Sequence, residues 1–96
     1  MAERAFKISP RDAHIVDTLG WILVDQGEAD AALTYLRAAN LGAPEDSDIQ
    51  YHLAVALYRV GRAADARILL ENLLGSFGSF ADRAEAEKLM QELKRS

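Results

Sequence analysis

Between residues 12 and 41 an apolar side chain returns every three or four positions, with Leu19, Leu23 and Leu36 as the large members and Gly20, Ala32 and Ala39 as the small ones. That period belongs to an amphipathic helix. The same rhythm resumes after residue 46 through Leu53, Leu57 and Leu70. It predicts helices at about 12–26, 29–41, 47–60 and 63–74. Gly27 and Gly61 fall between the members of each pair, where a left-handed residue commonly ends a helix and only glycine adopts that conformation without steric cost. After the turn-rich "GSFGSF", a last helix is expected over about 80–95, capped by Ser79 with Asp82 three residues on. Ala86, Leu89, Met90 and Leu93 form its apolar stripe, and Arg83, Glu87, Lys88, Gln91, Glu92 and Arg95 are read as a solvated face.

A shift of 34 residues lays the chain on itself: Gly27 on Gly61, Leu19 on Leu53, Leu23 on Leu57, Ala32 on Ala66, Leu36 on Leu70, Ile15 on Ile49 and Pro10 on Pro44. Small residues recur because two helix backbones approach closely only where neither carries a bulky side chain. Gly20 against Ala32, and Ala54 against Ala66, are the expected close approaches, with the leucines filling the remaining volume.

Composition narrows the function. Ninety-six residues make one small domain, and 17 alanines and 13 leucines with only two prolines favour helix throughout. Without cysteine, neither disulfides nor a thiolate metal site can form. A net charge of −4 with no basic cluster argues against nucleic acid, and the longest apolar runs, such as "WILV", are far too short to span a bilayer. "MAERAFKIS" has charges where a signal peptide needs an apolar stretch.

No catalytic constellation emerges. The two histidines, His14 and His52, lie in different copies, no serine occupies a nucleophile setting, and "GSFGSF" lacks the lysine of a phosphate loop. His14, Asp17, Asp48 and His52 are suitable in type for zinc, but solvent-facing polar residues are the simpler reading, and no cofactor is expected.

The repeated pattern resembles the tetratricopeptide repeats, whose large residue, Leu-Gly, second large residue, alanine and proline are held in the first copy by Val16, Leu19, Gly20, Leu23, Ala32 and Pro44. The second copy carries Gln50, Leu53, Ala54, Leu57, Ala66 and Leu70, with Gly78 in place of the proline, departures that suggest an array near its end. The resemblance implies an all-α, right-handed superhelix of antiparallel helix hairpins with a C-terminal capping helix. Its divisions would be 1–10 (the end of a preceding repeat or an N-terminal helix), 11–44, 45–78 and the cap at 79–96. "AERAFKISP" aligns with the end of a second helix, Ala5 on Ala39, so the chain is expected to begin mid-repeat as a piece of a longer array. The closing residues, with "DTLGW" and "YHLAVAL", also look like bacterial tetratricopeptide lipoproteins of the exopolysaccharide-linked PEP-CTERM export system.

The resemblance further implies a concave groove lined by the first helix of each repeat. Its positions here are His14, Asp17, Thr18, Trp21, Val24 and Asp25, then Asp48, Tyr51, His52, Val55, Tyr58 and Arg59. Trp21, Tyr51 and Tyr58 would offer rigid contact area to a protein or peptide partner, although Trp21 could equally pack as scaffold. Some members clamp a terminal carboxylate with basic residues and asparagine, but Asp17, Trp21, Tyr51 and Val55 stand at those places and do not supply them. Two roles follow: a non-catalytic adaptor holding a peptide or partner helix in the groove, or a scaffold segment that self-associates through Phe6, Ile8 and the neighbouring first-helix surface.

Overall fold

A computed structural model describes residues 10–75 and 83–95. They form α1 (Pro10–Asp25), α2 (Ala29–Gly42), α3 (Ser47–Arg59), α4 (Ala63–Gly75) and α5 (Arg83–Arg95), with no strand among the described residues. Each helix lies where the apolar period places it, within about one turn. Phe6, Ile8, Ser79 and Asp82 lie outside the described residues.

Both tight turns are built alike, as a 34-residue repeat requires. Gly27 and Gly61 have φ of +82° and +92°, the left-handed region that glycine enters freely. In the first turn the Glu28 amide donates to the Leu23 carbonyl at 2.8 Å and the Gly27 amide to the Val24 carbonyl at 3.0 Å. Arg62 and Gly61 donate in the same pattern to Leu57 and Tyr58, at 2.8 and 3.1 Å. This pairing closes a helix whose last carbonyls would otherwise lack partners. Glu28 and Arg62 then start the next helix, their carbonyls accepting from Ala32 and Ala66. The connection between the hairpins differs: Asp46 caps α3 by accepting from the Ile49 amide at 3.1 Å, worth about 1 kcal/mol.

Burial follows the small-and-large alternation. Leu36, Ile49, Leu70 and Leu73 are the large fully enclosed residues, and Ala32, Ala39, Ala54, Ala56 and Ala66 are wholly buried between them. At Gly20 the closest neighbours belong to Leu36 and Tyr35. A Cβ on Gly20 would stand 2.7 Å from Cγ of Leu36 and 3.3 Å from Cβ of Tyr35, so Leu36 is what the missing side chain admits. Helical side chains lean toward their own N-terminus, which brings Leu36 back over this spot. Leu19 needs correction: its counterpart Leu53 is buried, whereas Leu19 stays half exposed. α5 closes the other end, seating Ala86, Met90 and Leu93 in the main core, and the Arg83 guanidinium donates to the Leu74 carbonyl at 3.1 Å.

Candidate functional site

α1, α3 and α5 share one side of the molecule, and the side chains that join them are polar and aromatic. Asp17 and Trp21 are four apart on α1 and so point the same way, toward His52 of α3. The His52 Nδ1–H donates to both oxygens of Asp17, at 2.8 and 3.0 Å. Trp21 stacks on the imidazole, the ring centroids 4.1 Å apart and the planes 24° from parallel. Tyr51 leans on both, 6.2 Å from Trp21 and 5.8 Å from His52. The carboxylate is well buried, a placement that needs a charge-assisted partner, and His52 supplies it.

The rings continue into a trough between α3 and α5. Its cavity of ≈ 280 Å³ is lined from α3 by Tyr51, Val55, Tyr58 and Arg59. The facing wall is Glu85, Lys88, Leu89 and Glu92 of α5, with the Tyr58 hydroxyl donating to Glu92 Oε1 at 3.5 Å. A space of this size accepts one or two side chains and is too small for a large cofactor.

The structure therefore sorts the groove positions. Tyr51, Val55, Tyr58 and Arg59 come together on the trough. Asp17, Trp21 and His52 come together too, but on one another. His14 stands apart: it is exposed, and its Nε2 lies 3.1 Å from Asp46 Oδ2. Thr18 donates its hydroxyl to the His14 carbonyl at 3.0 Å, within α1. Asp25 is exposed at the end of α1 and Asp48 half-buried near the start of α3. Val24 belongs to the core and not to the groove. Among the described residues no three histidine, aspartate or glutamate side chains gather as a metal site.

Lys88 and Glu92 are exposed, as a solvated face requires, and they also line the trough, a placement the sequence reading did not foresee. Their signal was present: Glu85, Lys88, Leu89 and Glu92 stand at i, i+3, i+4 and i+7, the spacing of one helix face.

The helix pairs, their glycine turns and the 34-residue equivalence meet an independent finding in a family-model match described as tetratricopeptide repeat, over residues 23–93. The chain belongs to the tetratricopeptide repeat family. No curated protein and no solved structure matches it. Tetratricopeptide repeats are in general protein-interaction modules and are generally non-catalytic. None of the described helices is long and apolar enough to cross a membrane.

Proposed function

We propose that this chain is a non-catalytic adaptor that holds a short peptide or partner helix along the side shared by α1, α3 and α5. One observation carries the reading: the half-buried rings of Trp21 and Tyr51 lie side by side, 6.2 Å apart, and Tyr51 lines an open trough together with Tyr58. Aromatic rings supply large contact area with little rotamer entropy to lose, the property that concentrates binding energy. The rim carries both signs, Arg59 and Lys88 against Glu85 and Glu92, which suits a peptide of mixed charge better than an acidic tail.

Peptides selected from a random library on the full chain provide the test. Tyr58→Ala and Tyr51→Ala should each weaken the selected peptide about tenfold or more, with helicity by circular dichroism unchanged. Undiminished affinity in both variants would contradict the reading.

A second reading, self-association through α1, is favoured by the half-exposed Ile15, Leu19 and Ile22. The narrower likeness to exopolysaccharide-linked lipoproteins, carried by "DTLGW", "YHLAVAL" and the closing residues, would make this an exported protein; its recovery from a membrane or periplasmic fraction is the check.

A further inference from the structure

α1 presents a second apolar face, away from the groove. Ile15, Leu19 and Ile22 are 59, 49 and 47% exposed, and their i, i+4, i+7 spacing makes them one stripe. A shift of 34 places them on Ile49, Leu53 and Ala56 of α3, which are 0, 6 and 0% exposed. The difference is the neighbour. α2 covers that face of α3, Ala39 packing with Ile49 while Leu33 and Leu36 share the main core with Leu53 and Ala56. No described residue does the same for α1.

Residues 2–9 correspond by the same offset to 36–43, the last turns of α2 and its C-cap.

Resting on the self-association reading, we propose that a second copy of this chain covers the stripe, α1 packing antiparallel on α1 about a two-fold axis. The orientation follows from charge. Arg11, Thr18 and Asp25 are exposed and seven residues apart, so they run along one edge of the stripe. In an antiparallel pair this edge faces itself: Thr18 meets Thr18 near the axis, and Arg11 meets Asp25 of the second copy at both ends. A parallel pair would give up both Arg11–Asp25 contacts and align the helix dipoles unfavourably. Such an interface is isologous and closes at two copies. One helix face is well below the area of a stable dimer, so the association is weak and belongs to the high-micromolar range.

Sedimentation equilibrium of the full chain from about 10 µM to 1 mM tests this. A monomer–dimer equilibrium is expected. Leu19→Glu should abolish it without lowering the melting temperature, because Leu19 is half exposed. Arg11→Glu and Asp25→Arg should each weaken it roughly three- to tenfold, and R11E/D25R together should restore it. A monomer throughout overturns the proposal and the self-association reading with it, and association that begins only when residues 2–9 are deleted assigns the stripe to that segment instead. A dimer indifferent to Leu19→Glu places the contact elsewhere and overturns it. A dimer sensitive to Leu19→Glu but not rescued by the double exchange overturns the antiparallel pairing alone.

Discussion

Three glycines show how one residue type serves two physical ends. At Gly27 and Gly61 a Cβ would meet nothing within 4 Å, so alanine there costs only the left-handed backbone, about 1–2 kcal/mol. Asparagine tolerates that conformation better, and Gly61→Asn should melt above Gly61→Ala. At Gly20 the order reverses. The obstacle is the branch carbon of Leu36, where overpacking costs about 1–3 kcal/mol and outweighs a helix-propensity gain of at most about 1 kcal/mol. Gly20→Ala should lower the melting temperature, and the larger Gly20→Asn should lower it further; the reverse ranking would deny the close approach. Asp17 and His52 make a second residue-scale case. His52→Ala leaves a buried carboxylate without this donor and should cost about 1.5–3 kcal/mol in chemical denaturation. Replacing both by leucine should cost less than the two single changes summed, since the uncompensated charge leaves with its partner. The turn glycines were legible in the sequence because a glycine between two periodic segments has one common use. The Asp17–His52 pair was not, because the residues stand 35 apart and meet only once the register of α1 on α3 is fixed.

At the scale of elements, the apolar period and the glycines located every described helix, but neither could say what lies beside it. Leu19 and Leu53 are equivalent in sequence and unequal in burial, since α2 covers α3 and no described helix covers the matching face of α1. At the α2–α3 junction Asp46 acts through both oxygens, one accepting from Ile49 as a local cap and one beside His14 of α1. α5 holds the far end through Met90 and Leu93 on the face shared with Leu70 and Leu73. Met90→Ala should therefore cost about 2–3 kcal/mol in denaturant titration, and it should also weaken peptide binding, because α5 forms one wall of the trough. Loss of stability with binding intact would show that the wall is not part of the site.

At the scale of the molecule, the described residues form two equivalent hairpins with a closing helix, arranged so that α1, α3 and α5 offer rings and mixed charge along one side. The helices and their pairing were readable from spacing, since two registered copies agree in glycines, leucines and small residues, and the superhelical fold followed from the resemblance those copies carry. The arrangement of the candidate groove residues was readable only in part. Tyr51, Val55, Tyr58 and Arg59 do meet on the trough, while Asp17, Trp21 and His52 turn toward one another and Glu85 to Glu92 enter from a helix read as solvated. Which groove positions face outward depends on packing between helices, and no linear period encodes that. The most direct measurement is a heteronuclear NMR titration of the full chain with a library-selected peptide. Chemical-shift changes should concentrate at Tyr51, Val55, Tyr58, Lys88 and Leu89, with the Trp21 indole responding; changes confined to α2 and α4, or failure of selection to yield any binding peptide, would contradict the groove as the binding surface.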